Sequence, residues 1–198
     1  MVMPESTQVG EEAVDEEASI DSLCARIAGE CRQGDRARFG ELLSLTEPRV
    51  RRLIGRLSGV DDLDDLVQET YLRAWRSLAS FRGESRFSTW LFRIAVNTTH
   101  TYRRSRKRLV SLPIDAEQTI PASRALDDRS LSLAYENALA SLSIELRTVF
   151  VLHEAEGLAY REIAETVGCP IGTVMSRLHR ARTKILDELR ERLEELTP

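Results

Sequence analysis

The spacing of apolar residues along the chain predicts helices throughout and no strands. Apolar positions recur three or four residues apart, whereas strict alternation of apolar and polar residues is rare. A first helix buries one face, formed by Ile20, Leu23, Ile27 and Cys31. A second helix is expected after Gly34, and Pro48 is expected to separate it from a third. The pattern therefore predicts an all-α fold.

Two longer helices are predicted further along the first half of the chain. One runs from Asp62 to Leu78, and the chain then breaks at residues 81–83. The next begins at a cap formed by Ser85 or Ser88 and continues to about residue 106. Together with the preceding helices, they are sufficient for one small helical bundle.

The composition then changes, and this change divides the chain into two helical domains. Residues 109–130 contain two prolines and several turn formers with little periodicity, so we interpret them as a flexible linker. The linker separates a domain over residues 20–108 from a second over residues 131–198. Residues 1–19 are acidic and poor in apolar groups, and are expected to form a disordered extension.

A helix-turn-helix pattern lies in the second domain. A short helix is predicted to end at Gly168, and a new helix begins near Gly172, with Val174 and Leu178 on its apolar stripe. The opposite face is basic and rich in hydrogen-bond donors, with Thr173, Ser176, Arg177, Arg180 and Lys184. A merely solvated face is the alternative. The turn residues and the absence of acids over residues 166–186 favour insertion into the major groove of DNA.

Charge is distributed in blocks that the overall value of −4 conceals. Residues 61–72 hold five acids and no base, whereas residues 73–108 hold ten bases and one acid, a local charge of +9. Four further bases and no acid lie in the helix-turn-helix, between residues 166 and 186. Two basic patches in an acidic chain indicate two separate contacts with a polyanion.

The first basic patch is interleaved with aromatic residues, which favours contact with unpaired nucleotides. Seven of the eleven aromatic side chains lie within this patch or just before it, namely Tyr71, Trp75, Phe81, Phe87, Trp90, Phe92 and Tyr102. Arginine beside aromatic rings can hold single-stranded DNA by stacking and charge neutralisation. Most of these rings are expected to be core. The polar stripe Arg93, Asn97, His100 and Arg104 is expected to face DNA, and the loop over residues 81–85 could accept a flipped base.

Several other classes of protein are disfavoured by the sequence. No run approaches the roughly 18 apolar residues of a membrane span, and the acidic first twenty residues do not resemble a signal peptide. Three cysteines without metal-ligand spacing predict no disulfide, no metal and no cofactor, in a reducing cytoplasm. No catalytic motif is found, so we expect no enzyme.

The acidic run over residues 61–65 admits two interpretations. It could be a divalent-metal cluster, as in a nuclease, or the start of a helix that contacts another protein. The lack of a calcium-type glycine loop and of a nearby histidine favours the helix start. A stand-alone helix-turn-helix regulator is a further alternative, but it would leave the first domain without a role.

Taken in order, these motifs resemble the extracytoplasmic-function, or group IV, sigma factors of bacterial RNA polymerase. The resemblance rests on GDRARF at 34–39, DLVQETYLRAW at 65–75, FRG at 81–83 with STWL at 88–91, RIAVN at 93–97 and GTVMSRLHRAR at 172–182. Two positions depart from the family pattern. Met175 stands where many relatives carry Lys or Arg, and Ser143–Ile144 stands where a proline pair is common.

The resemblance implies a role for each domain. Region 2 binds the clamp helices of the largest polymerase subunit and opens the minus-ten element, whereas region 4 recognises the minus-thirty-five element. The implied polymerase-binding residues are Asp65, Gln68, Glu69, Leu72 and Arg73. The implied minus-ten residues are Phe81, Arg82, Arg93, Asn97, His100, Arg103 and Arg104. The implied minus-thirty-five residues are the basic face of the helix-turn-helix: Thr173, Ser176, Arg177, Arg180 and Lys184.

The resemblance also implies partners and a setting. Core RNA polymerase and promoter DNA are the expected partners, and an anti-sigma factor is an expected inhibitor. We expect a cytoplasmic transcription initiation factor that responds to a stress or envelope signal, without insertion into the membrane.

Overall fold

The computed structural model describes residues 8–58, 62–109 and 128–196, which form eight α-helices and no strand. The helices are α1 (Gln8–Arg32), α2 (Phe39–Ser58), α3 (Leu63–Ser77), α4 (Phe87–Leu109), α5 (Asp128–Ser141), α6 (Ile144–Glu154), α7 (Tyr160–Val167) and α8 (Ile171–Leu196). Short 3-10 turns lie at Arg36–Arg38 and Leu78–Ser80. The all-α prediction is confirmed.

Helices α1 to α4 enclose the first core. α2 lies centrally and packs on α1, α3 and α4, and α3 also packs on α4. The most deeply buried side chains come from all four helices and include Ile27, Leu53, Ile54, Leu66, Leu91 and Phe92. Burial of each such side chain contributes about 1.5–3 kcal/mol, which stabilises helices that would be marginal in isolation.

Helices α5 to α8 enclose the second core, because α5, α6 and α7 all pack on α8. Leu139, Leu152, Ile163, Val174 and Leu178 are almost completely buried. Gly168 ends α7 in a left-handed conformation with φ of 69°, and its N–H donates to Ala164 O at 2.9 Å. This turn is the one predicted from the sequence, and glycine adopts it without the penalty that a Cβ would bring.

The predicted helix break at Pro48 is wrong. Helix α2 continues through Pro48 to Ser58, so the predicted second and third helices are one. Proline removes one backbone donor within a helix. Pro48 is exposed, so water can hydrate the carbonyl that would have accepted that bond. Burial of Leu42, Val50 and Leu53 on the opposite side offsets the local cost.

The ends of two helices also differ from the predicted boundaries. α1 begins at Gln8, so helix replaces the disorder expected for residues 8–19. α5 begins at Asp128, inside the predicted linker, and residues 110–127 lie outside the described part of the chain. In both places the helix begins before the first apolar residue of its buried face, so the apolar spacing could not predict where the helix starts.

The two domains contact each other through α2 with α6 and α4 with α7. No helix in the described residues is both long enough and apolar enough to cross a lipid bilayer.

Candidate polymerase and promoter surfaces

One face of α3 carries the residues predicted to bind polymerase. Asp65, Gln68 and Leu72 are exposed, because steps of three and four keep them on one side of the helix. Leu66 and Tyr71 point into the core. Leu72 is 42% exposed, an unusual value for a leucine in the middle of a helix.

The remaining two residues of this predicted set form an ion pair. Arg73 Nε donates to Glu69 Oε1 at 2.7 Å, one turn apart, and both side chains are about 40% exposed. Pairs of this kind hold the helix surface in one arrangement but stabilise it little. Glu69 and Arg73 therefore lie at the edge of the exposed face and remain partly exposed to solvent.

An apolar groove beside this face was not predicted from the sequence. It has a volume of about 720 Å³ and lies between α2 and α3, lined by Phe39, Leu43, Val67, Tyr71, Leu72 and Trp75. Phe39 and Trp75 meet edge-on with ring centroids 4.8 Å apart, and Leu43 is 38% exposed. The charged residues Glu47, Arg51 and Asp64 line its rim. Exposed apolar surface bordered by charge is typical of a protein-binding site.

Of the three apolar residues Phe39, Leu42 and Leu43 near the start of α2, the first and the last line this groove. Leu42 takes the buried position instead, at 1% exposure, and its neighbour Leu43 is turned outwards. The apolar spacing does not distinguish the two leucines, because the adjacent residues Leu53 and Ile54 of the same helix are both buried, so no sequence signal revealed the groove.

The predicted minus-ten surface is only partly exposed. Arg82, Arg93, Asn97 and Arg104 are exposed, and the last three share one side of α4. Their side chains form a polar strip about eleven residues long, or roughly 16 Å. The strip is continuous with the loop that precedes α4.

Three residues of that predicted set are placed differently. Phe81 is 4% exposed, since its ring packs against Phe87 and Trp90 with centroids 5.3 and 5.5 Å away. His100 is half-buried and its Nε2 lies 2.9 Å from Thr148 Oγ1 of α6. Arg103 Nη1 donates to Leu57 O at 3.0 Å. Phe81 and His100 are therefore both covered by protein in this structure, and their contact with DNA stays a prediction.

Burial also changes the titration of His100. Desolvation lowers the pKa of this imidazole below 6.5, and Arg104, Arg103 and Arg177 act in the same direction. Glu145 opposes them. The imidazole is therefore held mainly in its neutral form.

The basic face of α8 lies opposite the core of the second domain. Ser176, Arg180 and Lys184 are exposed, whereas Thr173 and Arg177 are half-buried. Arg180 Nε donates to Ser176 O at 3.3 Å, and Arg177 Nη1 lies 3.9 Å from Cys169 Sγ in the turn. Val174, Leu178, Ala181 and Ile185 are buried on the other side. Met175, the departure noted above, is 53% exposed beside this face.

The acidic run is engaged with cations of its own domain. Asp64 Oδ1 accepts from Arg51 at 2.6 Å, and Asp62 contacts the Tyr102 hydroxyl and Arg106. Asp62 adopts a left-handed conformation, with φ of 59°, just before α3. Within the described ranges, no three His, Cys, Asp or Glu side chains converge closely enough to hold a metal ion. Asp61 lies outside those ranges.

Comparison with known proteins accounts for both domains in order. The family model for sigma-70 region 2 matches residues 42–109, and that for sigma-70 region 4 matches residues 132–185. The chain is 37% identical over 188 residues to the ECF RNA polymerase sigma-E factor of Haemophilus influenzae, covering 88% of this chain and 97% of that protein. It is 36% identical over 167 residues to the protein of the same description from Escherichia coli, covering 77% and 87%. The chain belongs to the ECF sigma factors.

Two solved structures have the same fold, and the first of them is a sigma factor. One is RpoE from Bartonella quintana in complex with the anti-sigma factor NepR, with a TM-score of 0.64 and 33% identity, covering 77% of this chain and 96% of that one. The other is CnrH in complex with the cytosolic domain of CnrY, with a TM-score of 0.63 and 26% identity, covering 84% and 97%. Because region 2 is matched as well as region 4, a stand-alone helix-turn-helix regulator is not favoured.

Proposed function

We propose that this ECF sigma factor directs core RNA polymerase to promoters through three surfaces: the exposed face of α3 with its groove, the polar strip of α4, and the basic face of α8. The observation that carries the proposal is the presence of both sigma regions, in order, in a chain similar in length to its relatives.

The α3 surface binds the clamp helices of the largest polymerase subunit. Asp65, Gln68 and Leu72 supply polar and apolar contacts, and the Glu69–Arg73 ion pair fixes the edge of the surface. The groove beside Leu72 accepts apolar side chains of the partner, since burying Leu43, Leu72 and Trp75 removes apolar area from water. Phe39 and Leu43 thereby join the proposed polymerase-binding set.

The α4 strip binds the minus-ten element. Arg93 and Arg104 neutralise phosphates, and the Asn97 amide can form two hydrogen bonds to the edge of an unpaired base. Arg82 in the preceding loop contacts the displaced strand. Phe81 supports this loop from below, because its carbonyl accepts from Arg32 Nη1 at 2.8 Å while its ring is buried. Arg103 and His100 reach DNA only after a change of conformation.

The α8 surface recognises the minus-thirty-five element in the major groove. Arg177 and Arg180 are placed to contact base edges, and Lys184, one turn further on, contacts phosphate. Thr173 and Ser176 at the start of the helix add hydroxyl contacts. The N-terminal half of α8 is thus the part that carries sequence preference.

The same proposal implies where the protein acts and how it is regulated. The protein acts in the cytoplasm, where RNA polymerase is found, and has no catalytic activity of its own. An anti-sigma factor holds it inactive until a stress or envelope signal releases it. The solved complex of the sigma factor RpoE with the anti-sigma factor NepR supports this expectation by analogy.

A triple substitution tests the polymerase-binding role. Replacing Asp65, Gln68 and Leu72 together by Ala should abolish recovery of core polymerase in a pull-down, because all three leave one exposed face while the core of α3 is untouched. A matched control replaces Ser19, Arg26 and Gln33, which are exposed at α1 and the turn after it. Undiminished recovery of core enzyme by the α3 variant would remove this helix from its proposed role.

A further inference from the structure

A row of exposed side chains runs along α8 beside the predicted basic face. Ile171, Met175 and His179 follow one another at steps of four residues, which places them on one flank of the helix, and we call them the Met175 row. Ile171 is 45% exposed, Met175 is 53% exposed and His179 is also exposed. Two large apolar side chains therefore meet solvent at the N-terminal end of α8, and neither belongs to the predicted DNA-binding set.

The Met175 row borders the side chains that are proposed to enter the major groove. Met175 directly precedes Ser176 and His179 directly precedes Arg180, so the two sets are turned by about 100° from each other around the helix axis. An α-helix with its side chains is about 10–12 Å across, and the major groove is about 12 Å wide. Because the helix fills the groove, both sets approach the edges of the bases.

The next cation on this flank of the helix is directed away from the row. Arg182 lies about two turns beyond Met175 on the same flank. Its Nε and Nη2 donate to Glu154 Oε1 at 2.9 and 2.6 Å, which directs the guanidinium to the end of α6. The flank at Met175 therefore presents an apolar surface to a base edge, whereas Ser176 and Arg180 beside it present polar groups.

An apolar side chain finds one matching group in the major groove. All base pairs present hydrogen-bonding groups there, and thymine adds a methyl group at C5. Methionine has three rotatable bonds and a polarisable sulfur, so its side chain adapts to a small apolar surface. Contact between Met175 and the methyl group removes apolar area from water on both sides. A base donor or acceptor covered by Met175 would instead lose its hydrogen bond to water.

We propose that Met175, supported by Ile171 one turn before it, contacts the 5-methyl group of a thymine in the minus-thirty-five element. This contact makes the chain prefer a T·A pair at one position of that element. Met175 thereby becomes a further residue that determines promoter specificity. The inference rests on the proposed function, because it requires α8 to lie in the major groove.

The methyl group sets the size of the expected effect. Removal of one methyl group from an apolar contact should weaken binding about fourfold, which corresponds to the burial of one CH₂ group. An exposed methionine that does not touch DNA gives no dependence on that methyl group. The affinity for a base that lacks only the methyl group therefore distinguishes a contact from mere exposure.

The test uses the holoenzyme, formed from the full chain and core polymerase, on a promoter that it transcribes. Each thymine of the upstream element, on either strand, is replaced singly by deoxyuridine, which keeps the base pairing and removes only the methyl group. The dissociation constant of the holoenzyme for each duplex is measured at one fixed salt concentration, because affinity for DNA depends steeply on salt.

The variants are Met175→Ala and Met175→Arg, with Leu186→Ala as the matched control. Leu186 is an exposed apolar residue of the same helix, with 61% of its side chain accessible. It lies about 16 Å further along the helix axis than Met175. All three substitutions are at exposed positions, and circular dichroism confirms that each variant keeps its helices.

We expect the native chain and Leu186→Ala to lose about fourfold in affinity when one particular thymine becomes deoxyuridine. Met175→Ala should bind the thymine and deoxyuridine promoters equally, because its shorter side chain does not reach the methyl group. In a selection from a promoter library, Met175→Arg should change the preferred base at that position from thymine to guanine, since a guanidinium pairs with guanine O6 and N7.

Three results would each overturn the contact: a selected upstream element without thymine, equal affinity of the native chain for every deoxyuridine promoter, or the same loss in Met175→Ala as in the native chain. Transcription separates this inference from the proposed function. Promoter-specific transcription by the native holoenzyme together with one of these results would reject the methyl contact alone. Absence of such transcription would reject the proposed function, and the contact with it.

Discussion

At the scale of single residues, Arg147 links the ends of two helices. Its Nη2 donates to the carbonyls of Ala140 and Leu142 at the end of α5, and its Nη1 donates to Leu57 O at the end of α2. The last carbonyls of a helix have no partner within it, and a cation there also interacts favourably with the helix dipole. Burial and the neighbouring Arg103 lower the pKa of this guanidinium.

Replacement of Arg147 by Lys should therefore be destabilising in spite of the conserved charge. A single ammonium cannot span carbonyls from two helices as the planar fork does, so we expect a loss of about 1–3 kcal/mol in the free energy of unfolding. Urea denaturation followed by circular dichroism measures this. Arg104→Lys, at an exposed site of α4, is the control and should change little. Equal stabilities of the two variants would show that the fork geometry is unimportant.

Contacts between residues that are far apart along the chain could not be predicted from the sequence. Asp21 of α1 caps α4, because its Oδ1 accepts from the Ser88 N–H at 2.8 Å, whereas serine was the predicted cap. Phe81 is an aromatic residue next to an arginine, as in a base-stacking site, but its side chain is buried in the core. Both depend on which helices meet in three dimensions, and local spacing carries no information about that.

At the scale of elements, periodicity predicted most of the helices because each buries one continuous face. The turn before α8 was predicted closely, since Gly168 is a strong helix terminator. Pro48 was misinterpreted, because tertiary packing of α2 outweighs the local preference of proline. The exposed residues of α3 were implied by the family resemblance, but the groove beside them was missed because α2 supplies its other wall.

Helix α8 is expected to make two kinds of contact with DNA, and mutations in the two kinds should have different effects on binding. We predict that Arg177→Ala or Arg180→Ala costs about 1–3 kcal/mol on the preferred upstream sequence and relaxes base preference there. Lys184→Ala should instead weaken all sequences alike and lower the salt slope by roughly one ion. Selection from a promoter library with polymerase holoenzyme distinguishes the two patterns. Unchanged upstream preference in both folded arginine variants would show that α8 does not read bases in this way.

At the scale of the whole molecule, two basic surfaces lie in different helical domains, one on α4 and one on α8. Neither surface alone is expected to bind promoter duplex tightly, because tight binding needs both surfaces held at the spacing of the two promoter elements. We expect core polymerase to supply that spacing by binding both domains. The blocks of charge along the chain predicted two polyanion contacts, but the packing of α2 on α6 and of α4 on α7 depends on the folded chain and was not predicted.

The contact between His100 and α6 also predicts a pH response. His100 Nε2 lies 2.9 Å from Thr148 Oγ1, and burial lowers the pKa of the imidazole below 6.5, with Arg104, Arg103 and Arg177 acting in the same direction and Glu145 opposing them. A lowered pKa means that the folded chain favours neutral imidazole, so the contribution of His100 to stability is lost as the pH falls through 6.5 towards the lowered value.

Proton NMR of the full chain measures this directly, with the resonance assigned by His100→Gln. We expect the pKa of His100 to lie below 6.5 in the native chain and to return towards that value when the chain is unfolded in urea. An identical pKa in the folded and the unfolded chain would mean that His100 is not buried against α6.

Reconstituted transcription shows whether this chain directs polymerase to promoters. Purified chain is mixed with core polymerase on a genomic library of its own organism, and the 5′ ends of the transcripts are sequenced with and without the chain. We predict that the chain adds a defined set of start sites sharing two upstream elements, that the Asp65, Gln68 and Leu72 triple variant adds none, and that the chain alone makes no transcript. Start sites that are the same with and without the chain would contradict its assignment as a sigma factor.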